Sequence, residues 1–185
     1  MNRFRKRRAA GLVAAALAAV ASPLRAETSG VSAGGFTVTF AMVVEGEPDR
    51  VWQAFTQLPR WWSPQHTWSG QAGNLSLDAQ AGGCWCERWG SGDAAASVQH
   101  GTVLMVMPGR VLRVQGGFGP LQELPVAGVL TFGTARRDGA TRLRVTYRVA
   151  GAPELALDKL AGPVDEVLGQ QVKRLKAYIE TGKPE

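Results

Sequence analysis

Alternating apolar and polar positions cover most of the chain after residue 35 and predict an antiparallel β-sheet. In residues 36–44 (FTVTFAMVV) every second side chain is large and apolar, as in a half-buried strand. The same period returns after residue 73, and glycine-rich turns divide the region into six more strands: 74–79, 83–89, 96–107, 111–116, 126–134 and 141–149. In the last strand arginines alternate with apolar residues, so one face is buried and the other faces water.

Helical spacing appears in two other parts of the chain. Pro48 opens a short helix with Asp49 in its first turn, and Pro59 opens a second turn that leads into two tryptophans. A long helix is predicted to start at Pro163 and to end at Gly182. Its apolar stripe must be buried, and the inner face of the sheet is the surface that can cover it. The stripe consists of Val164, Val167, Leu168, Val172, Leu175, Tyr178 and Ile179.

The order of these elements predicts an α+β fold in which a curved antiparallel sheet of about seven strands wraps around one long C-terminal helix, a helix-grip fold. Two short helices follow the first strand, and residues 36–184 form a single domain. Residues 27–35 (ETSGVSAGG) are small and polar and predict a flexible lead-in. A sheet that grips a helix leaves a cleft between the two, which is where a small apolar ligand would bind.

The N-terminus has the pattern of an export signal. A basic cluster (MNRFRKRR) precedes an apolar run from residue 9 to residue 21, and small residues follow. The run is shorter than the ~20 residues needed to cross a bilayer. We therefore expect residues 1–26 to be a signal peptide cleaved after Ala21 or Ala26, a periplasmic or secreted protein, and no stable membrane span after its removal.

Removal of that segment changes the meaning of the high isoelectric point, about 9.9. Six of the 21 basic residues and none of the 15 acidic residues lie in residues 1–26, so the remaining chain carries 15 of each. The high isoelectric point therefore belongs largely to the predicted signal and is no evidence for nucleic-acid binding. No nucleic-acid partner is expected.

The chain contains four motifs whose order matches that of a known superfamily: VWQAFT followed by WW, a strand that begins with two glycines and an aromatic residue, GTVLMVMPGRVLRV, and QQVKRLKAYIETGKPE. Over about residues 36–184 they resemble the START-like, or SRPBCC, superfamily, in the branch related to the C-terminal domain of activators of the heat-shock-90 ATPase. The resemblance implies a helix-grip fold with an internal cavity, in a superfamily that includes lipid and hormone carriers and aromatic cyclases. Because an exported protein meets no cytosolic chaperone, the predicted export argues against chaperone activity.

All six tryptophans lie between residues 52 and 89, where the roof of the cleft is expected. Rigid aromatic side chains there offer apolar area to a ligand, although packing in the core is the alternative role. The glycine-rich GGFGP run at 116–120 is interpreted as a mobile loop near the cavity mouth. The predicted ligand contacts are Trp61, Trp62, His66, Trp68, Phe118 and Tyr147.

The two cysteines, Cys84 and Cys86, lie one residue apart in a predicted strand and allow three interpretations. They could be buried free thiols, a disulfide that requires a kink in the strand, or, with His100, part of a metal or redox site. Centring the hairpin that follows them on Gly92 and Asp93 places Cys86 opposite His100. No metal and no cofactor is predicted as the leading interpretation.

The leading hypothesis is therefore an exported protein that binds a small hydrophobic molecule in its cavity, as carrier or sensor. The alternatives are a cavity enzyme, a cysteine-based metal or redox module, and a chaperone-associated binding protein. For the enzyme, the candidate general bases are His66 and His100, and Glu87 is a further candidate catalytic group. The protein partner, if one exists, is left open by the sequence.

Overall fold

The computed structural model describes residues 24–185, and the predicted signal peptide falls almost entirely outside this range. Three α-helices and eight strands follow one another along the chain, joined by short turns and single 3-10 turns. Their bounds are β1 Arg25–Ser32, β2 Gly35–Val44, α1 Pro48–Thr56, α2 Leu58–Trp61, β3 Leu75–Leu77, β4 Cys84–Trp89, β5 Ala96–Met107, β6 Val111–Gln115, β7 Ala127–Arg137, β8 Ala140–Ala150 and α3 Asp158–Thr181.

The strands form one antiparallel sheet in the order β1-β2-β8-β7-β6-β5-β4-β3. Helix α3 packs on the inner face, against β2 in particular, while α1 and α2 pack beside it. This arrangement confirms the predicted α+β helix-grip fold, with eight strands in place of about seven. Among residues 24–185, no helix is long and apolar enough to cross a membrane.

The extra strand is β1, and it replaces the flexible lead-in predicted for residues 27–35. It pairs with β2 from Arg25 opposite Ala41 to Ser29 opposite Thr37. Every side chain of β1 is exposed, so the strand is held by its backbone ladder and buries no alternating apolar face. A sequence pattern that reports side-chain burial cannot detect such a strand.

The other strands lie close to their predicted positions, and β5 has the predicted bounds. Strand β3 is the shortest: it ends at Leu77 because the chain then turns, with Gln80 N–H donating to the Asp78 carbonyl and Gly83 N–H to that of Gln80. Gly83 must be glycine, since a Cβ there would lie 2.0 Å from the Asp78 carbonyl oxygen. On β8 the arginines face outward, as the alternation predicts.

Helix α3 starts at Asp158, five residues before the predicted start, and Pro163 lies inside it. The predicted start was wrong because Pro163 does not open the helix: it lies beyond the first turn, lacks the N–H that would reach the Lys159 carbonyl, and the helix continues through it. A turn of 3-10 type leads into the helix, with Lys159 N–H donating to the carbonyl of Ala156. The predicted end is confirmed: Gly182 adopts a φ of 77° and its N–H bonds to the Tyr178 carbonyl.

Candidate functional site: a cavity beneath the N-terminal half of the long helix

A cavity of about 520 Å³ lies between the sheet and α3. Three parts of the chain enclose it: the N-terminal half of α3, the inner face of the sheet at β4, β5 and β8, and two loops that form its mouth. The loops are the roof segment, residues 62–68, and the clasp loop, residues 116–123. Its walls are mostly apolar, and the helix contributes Pro163, Val164, Val167 and Leu168.

The structure brings five of the six predicted ligand contacts to this cavity: Trp62, His66, Trp68, Phe118 and Tyr147. The sixth, Trp61, does not line it. Its indole packs edge-on to Trp62 and Phe132, and its N–H donates to the Phe55 carbonyl at 3.3 Å. Because the two neighbouring tryptophans straddle the end of α2, one turns into the core and the other into the cavity.

One wall of the cavity is a chain of aromatic rings in edge-to-face contact. Trp62 contacts Trp85 at 5.1 Å between ring centroids, Trp85 contacts Phe118 at 5.1 Å, and Phe118 contacts Tyr147 at 5.5 Å. Edge-to-face pairs fix ring orientation as well as bury area. The chain therefore joins the roof segment, the sheet and the clasp loop into one rigid apolar surface.

Tyr147 holds the clasp loop in place. Its hydroxyl donates to the Gly116 carbonyl at 2.9 Å and accepts from the Phe118 N–H at 3.2 Å. Burial raises the pKa of Tyr147 to about 12, against the opposing effect of the Phe118 hydrogen bond, so the phenol stays neutral. The loop predicted as mobile is thus tied to β8, and Phe118 is buried.

A buried carboxylate, Glu87 of β4, lies behind the cavity-lining His100 and is fully shielded from solvent. It accepts three hydrogen bonds: from the backbone N–H of Trp68 at 3.0 Å, from that of Ser69 at 2.6 Å, and from His100 Nε2 at 3.0 Å. Desolvation alone would raise the pKa of Glu87, but hydrogen bonds from Ser69, Trp68 and His100 outweigh it and lower the pKa below 4.5. Glu87 is therefore ionised at neutral pH and anchors the end of the roof segment.

The hairpin register predicted that His100 lies opposite Cys86, and this prediction was wrong. The pairing holds at Trp85 opposite Gly101, but a β-bulge follows, and Cys86 lies opposite Gln99. His100 is the extra residue of the bulge. Its ring therefore reaches Glu87 instead of the cysteines, and it also lines the cavity.

Cys84 and Cys86 form a disulfide, with their Cα atoms 5.4 Å apart, closer than in an extended strand. This geometry selects the second of the three interpretations open to the sequence. Within residues 24–185 no cluster of three or more histidine, cysteine or acidic side chains is arranged to hold a metal ion. Between the two cysteines, Trp85 points into the cavity wall.

His66 is held by a residue that the sequence interpretation missed. Gln171 of α3, 1% exposed, accepts from the Ser63 N–H at 2.8 Å and contacts His66 Nδ1 at 2.7 Å. It falls within the apolar stripe of the helix, three residues after Leu168, and a glutamine at a stripe position is the signal that could have revealed it. Gln171 thus fixes the roof segment to α3, as Glu87 fixes it to the sheet.

Comparison with known proteins agrees with this fold. The family model described as "Activator of Hsp90 ATPase homolog 1-like protein" matches residues 45–180. CalU16 from Micromonospora echinospora superposes with a TM-score of 0.56 at 15% identity, over 89% of this chain and 88% of that chain. The Aha1 dimer from Colwellia psychrerythraea superposes with a TM-score of 0.55 at 16% identity, over 80% of this chain and 98% of that chain.

Protein CV1439 from Chromobacterium violaceum gives a TM-score of 0.51 at 21% identity, over 78% of this chain and 96% of that chain. At such identities the likeness to solved structures shows the fold alone. No curated protein is significantly similar in sequence.

Proposed function

The chain belongs to the family of proteins similar to the activator of the Hsp90 ATPase, and from that premise we propose that it binds one small hydrophobic molecule in its cavity, as a carrier or sensor. The observation that carries the proposal is the cavity itself: about 520 Å³, walled by aromatic and aliphatic side chains and held open by buried hydrogen bonds. This volume is within the range of ligand sites.

Apolar burial supplies the affinity. A ligand that buries about 250 Å² of apolar surface gains about 6 kcal/mol before the costs of association. The aromatic wall is already ordered in the free protein, so little side-chain freedom remains to be lost on binding. A two-ring aromatic hydrocarbon fits the site in both size and polarity.

Calorimetric titration with ethylnaphthalene tests this proposal. We expect saturable binding with one site per chain and a negative heat-capacity change, the mark of apolar burial. Val167→Trp, which fills the cavity from α3, should abolish binding. Gln170→Trp, an exposed position on the same helix, is the matched control and should bind like the wild type. Absence of binding by the wild type, or equal binding by all three proteins, would contradict the proposal.

We further propose that the protein is exported and that residues 1–26 are its signal. The basic and apolar N-terminus supports this, and the Cys84–Cys86 disulfide fits an oxidising compartment. Cleavage after Ala21 leaves β1 whole, whereas cleavage after Ala26 removes its first two residues. Cell fractionation followed by N-terminal sequencing tests both points. A protein that is found in the cytoplasm and still begins at residue 1 would overturn the export proposal.

The bond between His100 and Glu87 favours a second candidate, catalysis in the same cavity. An imidazole oriented by a carboxylate is a common general base. Bound acetylnaphthalene should then exchange its methyl hydrogens for deuterium, as followed by mass spectrometry, and His100→Phe should stop the exchange. If acetylnaphthalene exchanges its methyl hydrogens no faster with the wild-type protein than in solvent alone, binding without catalysis is the function that remains.

A further inference from the structure

The two histidines of the described chain line the same cavity, and their hydrogen-bond partners determine what each ring offers to a ligand. A neutral imidazole has one nitrogen that donates and one that accepts. When one nitrogen is bonded to a partner of known polarity, the role of the other follows.

His66 offers a donor. The Ser63 backbone N–H can only donate, so the Gln171 atom that it contacts is the carbonyl oxygen Oε1. The other end of the amide, Nε2, therefore donates to His66 Nδ1 at 2.7 Å. A nitrogen that accepts a hydrogen bond carries no proton, and the hydrogen of the neutral His66 ring is consequently on Nε2. That Nε2–H has no partner among the described residues.

His100 offers an acceptor. Glu87 is ionised, and its Oε2 can only accept, so His100 Nε2 donates to it. In the neutral ring the lone pair is then on Nδ1. Within residues 24–185, Asp165 Oδ1 is the single fully buried side-chain oxygen or nitrogen that has no hydrogen-bond partner. His100 Nδ1 also has no partner, so it is not fully buried, and it is accessible from the cavity that its ring lines.

Apart from the exposed Glu123 carboxylate at the mouth, the other polar side chains at the cavity are already engaged. Both hydrogen bonds of the Tyr147 hydroxyl are used within the clasp loop. The Trp62 indole N–H donates to the His66 carbonyl, the Trp68 indole N–H to Gln122 Oε1, and the Thr67 hydroxyl to the Pro64 carbonyl. His66 Nε2 and His100 Nδ1 therefore remain as one donor and one acceptor in an otherwise apolar space.

Charge further restricts the ligand. The ionised Glu87 lies directly behind His100, Glu123 lies at the mouth, and no lysine or arginine lines the described cavity. A carboxylate or phosphate in this site would be repelled and left without a cationic partner. A neutral hydroxyl, in contrast, can donate to His100 without carrying charge into the site.

We propose that the cavity recognises a neutral aromatic molecule that carries both a phenolic or enolic hydroxyl, which donates to His100 Nδ1, and a carbonyl oxygen, which accepts from His66 Nε2–H. The inference rests on the proposed function, since it names the class of molecule bound at that same site. His66 and His100 act here as recognition residues, and Gln171 and Glu87 position them.

Four kinds of neutral probe and one anion, naphthoate, test the inference. The neutral probes are ethylnaphthalene, naphthol, acetylnaphthalene, and a set of acetylnaphthols whose two substituents occupy different ring positions. We expect the hydroxyl and the carbonyl each to strengthen binding to the wild type about tenfold, the usual effect of one buried hydrogen bond. His100→Phe should remove the advantage of the hydroxyl alone, and His66→Phe that of the carbonyl alone. Naphthoate should bind more weakly than naphthol.

Because His66→Phe leaves the Gln171 side-chain Nε2 without its acceptor, nitrogen NMR of the wild-type histidines provides a second readout. Binding of an acetylnaphthol should shift the His100 Nδ1 resonance in the direction expected of a new acceptor and leave its Nε2 proton in place. Equal affinity for all neutral probes, unchanged histidine resonances, or tighter binding of naphthoate would overturn the inference while leaving apolar binding intact. Failure of every probe to bind would overturn the proposed function as well.

Discussion

The two halves of α3 face the same sheet with the same kind of apolar stripe, yet one half packs densely and the other leaves a hollow. Val172, Leu175 and Ile179, in the C-terminal half, are buried in the core. Val164 and Leu168, in the N-terminal half, are buried from bulk solvent but border the cavity. Apolar patterning therefore does not by itself decide whether a space is filled.

The difference lies in what holds the surrounding chain. Around the hollow, the roof segment is fixed at both ends by buried polar side chains, Gln171 on the helix and Glu87 on the sheet. The clasp loop is fixed by Tyr147. Collapse of the cavity would break these bonds and leave buried polar groups unsatisfied, at a cost of about 1–3 kcal/mol for each group, which opposes closer apolar packing. The hydrogen-bonded frame keeps the hollow half open.

The largest expected effect separates the two halves directly. Leu175→Ala, in the packed half, should lower the free energy of unfolding by about 4 kcal/mol, because it opens a new void. Leu168→Ala, its matched control, should cost about 2 kcal/mol, because part of that side chain already borders empty space. Urea denaturation measures both, and equal losses would contradict the comparison.

Loss of the carboxylate frame comes next. Glu87→Gln should lower the free energy of unfolding by about 2 kcal/mol at neutral pH, since an amide nitrogen would face a backbone N–H. The pKa of Glu87 is lowered in the folded state, so its stabilising effect is complete above about pH 4.5 and is lost as the pH falls through the folded-state pKa. The difference in the free energy of unfolding between the wild type and Glu87→Gln should therefore become smaller as the pH is lowered.

Exposed Glu123, at the cavity mouth, provides the control for that experiment. Glu123→Gln should change the free energy of unfolding by less than about 0.5 kcal/mol. If the difference in the free energy of unfolding between the wild type and Glu87→Gln stays constant as the pH falls to about 3, the charge of this carboxylate contributes nothing to stability.

The disulfide should have a smaller effect because it closes a very short loop. Replacing Cys84 and Cys86 together by serine should lower the free energy of unfolding by about 1.6 kcal/mol, the chain-entropy value for three residues. Reductant should destabilise the wild type by a similar amount and leave the double variant unchanged. A reductant effect of equal size on both proteins would contradict this assignment.

The smallest expected change in stability concerns the mouth of the hollow half. Trp68 is 55% exposed and bonds through its indole to Gln122 on the clasp loop. Trp68→Phe should change the free energy of unfolding by about 0.5 kcal/mol or less, yet raise the rates of ligand entry and exit together. Stopped-flow titration with acetylnaphthalene measures both rates, and unchanged rates would show that this contact does not guard the entrance.

Residues that alternate or repeat in burial were predictable from the sequence, and those fixed by backbone or by single polar contacts were not. The bounds of β5 follow from its period, whereas β1 carries no burial signal at all. The bulge at His100 shifts the register by one residue, which no pattern of apolar positions reveals. Three of the four rings of the aromatic wall were among the predicted ligand contacts, and Trp85 was not. Glu87 and His100 were separate catalytic candidates in the sequence, but their contact with each other emerged only from the fold.

The central claim is that the space beneath the N-terminal half of α3 is a preformed site for an apolar guest. A crystal structure of the wild type soaked with bromonaphthalene tests it most directly, because bromine gives an anomalous signal that no protein atom mimics. We predict one strong peak between Leu168 and Trp85, with the surrounding side chains unmoved. A space closed by inward movement of Trp62 or Phe118, with no bromine peak inside it, would contradict the account.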